Sequence, residues 1–152
     1  MAEQTGADAS LEKIVIELRN DHYEAETLWA EPLGGGLYRL RNVPILAYGF
    51  SEQDVVRTDE VEGRHVVTGV TRPGGHSTYR VFLPDAMDDA RFAKLFEPLG
   101  SLGCTYERAN PRLMGIDVPP ETDVYAVYAV LEQGEGAKQW SFEEGHCGHP
   151  LR

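Results

Sequence analysis

The stretch STYRVFLPDAMDDARFAKLFEPLGSL, residues 77–102, contains the change of pattern that decides the fold. Its first seven residues alternate between two faces, with the apolar side chains on one of them, which is typical of a β-strand. From residue 88 the apolar side chains recur at spacings of three and four, which predicts a helix over residues 88–102. Asp85 and Asp88 are alternative N-caps for this helix, and we expect Pro98 to kink or split it.

The segments that follow continue the alternation of strand and helix. They are predicted as a hairpin of strands 104–109 and 112–118 around an Asn110-Pro111 turn, a helix over 121–133 and a last strand over 138–143. The order β, α, β, β, α, β is that of a split βαβ unit. We therefore expect a ferredoxin-like subdomain over residues 73–145.

The first half of the chain is predicted to be β-rich over residues 11–72. Alternating segments are separated by turn signals, of which the glycine run 34–36 is the clearest because glycine tolerates positive φ. The expected fold is α+β, with this half forming a small barrel or curled sheet packed on the ferredoxin-like half. Residues 1–10 are predicted as a disordered leader and residues 146–152 as a flexible tail.

The overall charge narrows the set of partners. The 152 residues include 25 Asp and Glu but only 14 Lys and Arg, for a formal net charge of -11. Such a field repels phosphate backbones and anionic lipid surfaces, so nucleic acid is an unlikely partner and a membrane is not predicted. Two cysteines and the lack of a signal-like apolar segment favour the cytoplasm.

Several strings carry a resemblance to a known family. They are ETLWAEPL at 26–33, LYRLRNVPILAYG at 37–49 with DVV soon after, GHSTYRVFL at 75–83 and YERANPRLMGIDVP at 106–119. Together they resemble an uncharacterised bacterial family defined as a domain of unknown function, over most of residues 11–145. The resemblance implies a small stand-alone bacterial protein. Because the family has no established activity, it implies no catalytic residue.

A candidate site follows from the expected strand order. His76, Thr78 and Arg80 alternate onto the sheet face away from the helices. In a ferredoxin-like sheet the first strand lies beside the last, which brings Glu143 and His146 to the same face. We expect these side chains to form a polar cluster on an open face, in a cleft between the two halves.

The chemistry of this cluster has two interpretations. In the functional one His76 is a general acid or base, Arg80 holds an anionic group, Glu143 orients the imidazole, and Thr78 is a further catalytic residue. Arg80, His146 and Arg112 are then the binding residues. In the structural one Arg80 and Glu143 form a cross-strand ion pair while His76 belongs to a turn.

The end of the chain collects possible metal ligands. His146, Cys147 and His149 are weak candidates for a zinc site, since zinc accepts imidazole and thiolate. They lack a CxxC or HExxH framework. We therefore predict neither a metal nor a cofactor.

Two functions are carried forward from the sequence. The first is the binding of a protein partner or a small ligand. The alternative is a small hydrolase or acid-base enzyme that acts on an anionic substrate around His76 and Arg80. The sequence leaves the oligomeric state open.

Overall fold

The computed structural model describes residues 10–18 and 22–151. The predicted leader, residues 1–10, lies outside this part of the chain except for Ser10. Within the described ranges the protein is an α+β structure of two sheets and two helices. No helix there is long and apolar enough to cross a membrane.

Five strands form the first sheet, which curls into a closed barrel. The strands are β1 (Glu12–Glu17), β2 (Ala25–Gly34), β3 (Leu37–Leu40), β4 (Val55–Val61) and β5 (Arg64–Arg72). Neighbours along the chain from β2 to β5 pair antiparallel, as do β1 and β2, whereas β1 and β5 meet in parallel at Val15 and Val66. Alternate apolar side chains fill the interior, among them Ile14, Leu28, Leu40 and Val56.

The second sheet has four strands and carries both helices. Its elements are β6 (Ser77–Phe82), α1 (Asp89–Ser101), β7 (Thr105–Asn110), β8 (Leu113–Val118), α2 (Val124–Gly136) and β9 (Ser141–His146). The strand order is β7-β8-β6-β9, and every neighbouring pair is antiparallel. Tyr79, Val81 and Leu83 share a core with residues of both helices, such as Phe92 and Leu131, as the alternation predicted.

The helices differ from the predicted ones at Pro98 and at both ends of α2, which begins at Val124 instead of residue 121 and ends at Gly136 instead of residue 133. Asp88 caps α1 by accepting from the backbone N–H of Arg91, but the helix continues through Pro98, which lies in its last turn. Helix α2 passes Gly134 instead of ending there. A Cβ on Gly134 would lie 2.3 Å from the indole of Trp140, so this glycine admits the tryptophan to the core.

The end of the chain differs from the expected flexible tail. The last strand begins at Ser141, later than predicted, and includes His146. Beyond it, His149 is buried: its Nε2 donates to the carbonyl of Pro119, and its Nδ1 lies 2.6 Å from the hydroxyl of Ser77. These two contacts fix His149 against the second sheet. Local sequence pattern does not reveal them, because the partners lie 72 and 30 positions earlier in the chain.

The sheet face away from the helices is covered. The connection between β3 and β4, residues 41–54, crosses this face and buries Val43 and Ile45 against Leu113. A Cβ on Gly115 of β8 would lie 2.6 Å from Ile45, so the glycine allows the connection to approach the strand. The expectation of an open face is therefore wrong, because the apolar side chains of the connection are buried by packing on this face.

Candidate functional site

Two buried charges hold the crossing connection in place. The carboxylate of Glu26 on β2 accepts the backbone N–H groups of Ile45, Leu46 and Ala47 at 2.7, 3.1 and 2.9 Å. From the other side, the guanidinium of Arg80 donates to the carbonyls of Ile45 and Ala47. Three consecutive N–H groups and two carbonyls of residues 45–47 are thus bonded to charged side chains.

Arg80 is not the exposed anion receptor of the functional interpretation. Its side chain is 3% exposed, and the ring of Tyr48 covers the guanidinium at 4.2 Å from the ring centroid. Glu143 is its register partner on β9, yet this carboxylate accepts the hydroxyl of Tyr48 at 2.6 Å. No Arg80–Glu143 ion pair occurs in the part of the chain that the structure describes.

Thr78 and His146 come together, as expected from strand order. They are register partners on β6 and β9, and Ser51 from the crossing connection joins them. The Ser51 hydroxyl lies 2.7 Å from Oγ1 of Thr78 and 2.8 Å from Nδ1 of His146. Because Ser51 and Thr78 are fully buried, this hydroxyl and imidazole contact ties the connection to the sheet and gives no accessible nucleophile.

His76 is oriented by a residue that the sequence analysis did not select. Its Nδ1 lies 2.9 and 3.0 Å from the two carboxylate oxygens of Asp117 on β8. Glu143, the predicted orienting residue, lies with Tyr48 instead. The hydrogen bond to Asp117 raises the pKa of His76, and burial opposes this effect. An acidic residue in the otherwise apolar strand LMGIDV was the available signal.

The predicted site is divided into two recesses that share no lining residue. The first, of about 440 Å³, is called the His76 recess and is lined by Arg39, Gln53, Val55, Arg72, Pro73, Gly74 and His76. The second, of about 340 Å³, is called the Tyr48 recess and is lined by His22, Tyr23, Ile45, Leu46, Tyr48, Arg80, Phe82, Leu113 and Glu143. His76 therefore lies in one recess and Arg80 with Glu143 in the other.

Arg112 does not join either recess. Its Nε donates to the carbonyl of Leu83 at 2.9 Å, beyond the end of β6 opposite to His76. Seven residues of extended chain separate His76 from Leu83, which is about 23 Å at roughly 3.3 Å per residue. Arg112 is thus not a partner of His76, because β8 runs antiparallel to β6 and carries it to the far end of the sheet.

The three weak metal candidates are directed to different partners. The imidazole of His146 lies against Ser51 and that of His149 against Ser77, while the thiol of Cys147 donates to the carbonyl of His149 at 3.7 Å. Among the residues described, no cluster of three or more His, Cys, Asp or Glu side chains has an arrangement that could hold a metal ion.

Comparisons with known proteins identify the family and the fold of the chain. Residues 26–142 match the family described as "Domain of unknown function (DUF4265)". The chain belongs to this family. Among solved structures, a hypothetical protein from Neisseria gonorrhoeae superposes with a TM-score of 0.78 at 14% identity, over 91% of this chain and 96% of that one. At that identity the likeness concerns the fold alone. No curated protein matches the chain.

The predicted resemblance to this family is thereby confirmed. Neither the DUF4265 description nor that of the Neisseria structure names a substrate, so a function has to be argued from the two recesses.

Glu52, beside the His76 recess, is a further titratable group. Burial raises its pKa to about 7, and the charges of Asp117 and Glu107 act in the same direction.

A first prediction concerns Glu26. We expect Glu26→Gln to lower the free energy of unfolding by about 2 kcal/mol or more, because an amide NH₂ would then face a buried backbone N–H. Urea denaturation gives the value. Glu17→Gln, an exposed carboxylate on β1, is the matched control. Equal unfolding midpoints for the two variants would contradict the role given to Glu26.

A second prediction concerns the pH dependence of His76. Its folded pKa is raised above the ordinary value of 6.5, so its stabilising contribution is complete below about pH 6.5 and is lost as the pH rises through the folded pKa. NMR titration of the ring protons measures this pKa directly. Asp117→Asn should lower it, whereas Asp85→Asn, an exposed carboxylate, should not. A wild-type midpoint at or below 6.5 would refute the pairing.

Proposed function

We propose that the protein binds a small anionic ligand in the His76 recess. The observation that carries this proposal is the convergence of Arg39, Arg72 and His76 from three separate segments on one concave surface. In a chain of net charge -11, such a local concentration of cations is unusual. Arginine and protonated imidazole are the side chains that recognise phosphate and carboxylate groups.

The rim of this recess is rigidly constructed, which supports a binding role. Asp54 accepts the backbone N–H of Ser51 at 2.9 Å and that of Gly74 at 2.8 Å, so one carboxylate joins both lips. Gly74 packs so closely on Gln53 that a Cβ would lie 2.7 Å from its carbonyl oxygen. Gln53 itself has φ of 76°, a conformation that costs free energy in a residue other than glycine. Preorganisation of this kind reduces the entropy lost on binding.

Among the residues described, two of the three cations that line the recess already contact a carboxylate, and the third does not. Arg39 is half-exposed and lies 3.3 Å from Glu31, so a ligand shares this guanidinium with a carboxylate. No hydrogen bond or ion pair engages the side chain of Arg72 within the described ranges. His76 has Nδ1 committed to Asp117, which leaves Nε2 as its ligand-facing nitrogen.

Titration with inorganic phosphate tests the proposal. We expect chemical-shift changes to be concentrated at residues 53 and 72–76, and Arg72→Ala to raise the dissociation constant about tenfold, the effect of losing one charged hydrogen bond. Arg64→Ala, an exposed arginine at the β4–β5 turn, is the matched control. Equal weakening by both variants would mean that phosphate senses only overall charge.

A second candidate function is acid-base catalysis on such an anion. The specific observation is the pair of His76 and Asp117, which resembles an imidazole held by a carboxylate so that its other nitrogen exchanges a proton with a substrate. Thr78, Arg80 and Glu143 take no part in this version, because each is committed to the connection that covers the sheet.

A chromogenic substrate separates catalysis from binding. If His76 is a general base, p-nitrophenyl phosphate or p-nitrophenyl acetate should be hydrolysed above the buffer rate. His76→Gln should then abolish the excess, and Asp117→Asn should shift the pH profile toward acid. Wild-type and His76→Gln proteins that both match the buffer would refute catalysis on these esters and leave the binding function.

Three further expectations accompany this proposal. The strand order β7-β8-β6-β9, with a helix after β6 and after β8, supports the ferredoxin-like description of the second sheet. The two cysteines, both unpaired in the structure, support a cytoplasmic location. Bacterial origin rests on the family resemblance. A protein partner in place of a small ligand remains the other form of the binding function.

A further inference from the structure

The Tyr48 recess is a second concave surface, on the other side of the crossing connection. Residues from five segments line it: His22 and Tyr23 before β2, three residues of the connection, β6, β8 and β9. It shares no residue with the His76 recess. Its lining is also different in kind. Among the described residues, aromatic and aliphatic side chains predominate, and the arginine is the buried Arg80.

Three aromatic rings remain accessible around this recess. Tyr48 is 62% exposed, Tyr23 49% and Phe82 38%. They come from the connection, the segment before β2 and β6, so the fold and not local sequence brings them together. Exposed aromatic surface of this kind is characteristic of ligand sites, because removing it from water on binding is favourable.

Among the described lining residues, the accessible carboxylate in this recess is that of Glu143. Arg80 and Glu143 face each other across β6 and β9, but Arg80 is buried beneath Tyr48 and donates to the carbonyls of Ile45 and Ala47. The carboxylate of Glu26, which carries the opposite charge, accepts the N–H groups of the same two residues. Glu143 accepts Tyr48 through Oε2 alone, so Oε1 has no hydrogen-bond partner in the part of the chain described.

We propose that the Tyr48 recess binds an organic ammonium ion that carries an apolar body. The ammonium group is held by Oε1 of Glu143, and the body packs on the outer face of Tyr48 and on Phe82 and Leu46. Cations with apolar substituents are recognised by this combination of aromatic faces and a carboxylate. Arg80 occupies only the inner face of Tyr48, at 4.2 Å, so the outer face is the one offered to the ligand.

Three probes with one ring and different head groups test the proposal: 2-phenylethylammonium, 2-phenylethanol and 3-phenylpropionate. NMR titration of the full chain measures each dissociation constant. We expect the ammonium to bind at least tenfold more tightly than the alcohol, with shift changes at residues 45–48, 82 and 143. Tightest binding by the carboxylate would overturn the proposal, since Arg80 would then govern the recess. Equal binding of all three would overturn it too, because the charge of Glu143 would play no part.

Variants assign the preference to its residues. Glu143→Gln should remove the advantage of the ammonium over the alcohol, whereas Glu144→Gln should preserve it, because Glu144 accepts the hydroxyl of Tyr79 at the other face of β9. Tyr48→Phe keeps the ring and loses the hydroxyl, so it provides a test should Glu143→Gln unfold: it should still prefer the ammonium. Loss of preference in Glu144→Gln to the same degree as in Glu143→Gln would refute the assignment.

Discussion

The rest of the structure depends on the backbone of residues 45–47. Its three N–H groups donate to one carboxylate, and its carbonyls at residues 45 and 47 accept from one guanidinium. A chain that crosses a sheet without joining it leaves its N–H and C=O groups without partners, and buried groups of this kind are costly. Glu26 from the barrel takes the N–H groups, and Arg80 from the second sheet takes the carbonyls. The two charges thereby connect the barrel to the sheet through neutral backbone, and each is solvated by peptide dipoles instead of by water.

This arrangement explains why the polar side chains of β6 perform different tasks. Arg80 and Thr78 lie beneath the connection and fasten it, whereas His76 lies beyond its edge and faces solvent through the first recess. Glu143, at the other edge, faces the second recess. One connection therefore separates two surfaces of different chemistry: one bordered by arginines and an imidazole, and the other by aromatic rings and a carboxylate.

Sequence pattern predicted the parts of the fold that are local. The hairpins, and the order of strands and helices from Ser77 to His146, depend on residues close together in the chain. So does the N-cap of α1, which is Asp88, one of the two residues proposed for it. The last strand of the second sheet lies beside its first, as expected from element order, and this makes Thr78 and His146 register partners. Sequence pattern missed Asp117, whose partner His76 lies 41 positions earlier. It also missed the burial of Arg80 by the connection, whose carbonyls at Ile45 and Ala47 lie 35 and 33 positions earlier. No periodicity marks a contact that depends on how two sheets pack.

The parallel seam between β1 and β5 has a consequence for the order of folding. The other strand pairs of the barrel are joined by chain neighbours, whereas Val15 and Val66 must meet across about fifty residues of intervening chain. Closing this seam costs less chain entropy once the intervening strands are ordered, so we expect the hairpins to form before the seam. In that order of folding the edges of β1 and β5 stay unpaired until the seam closes, and unpaired strand edges are where other chains can pair.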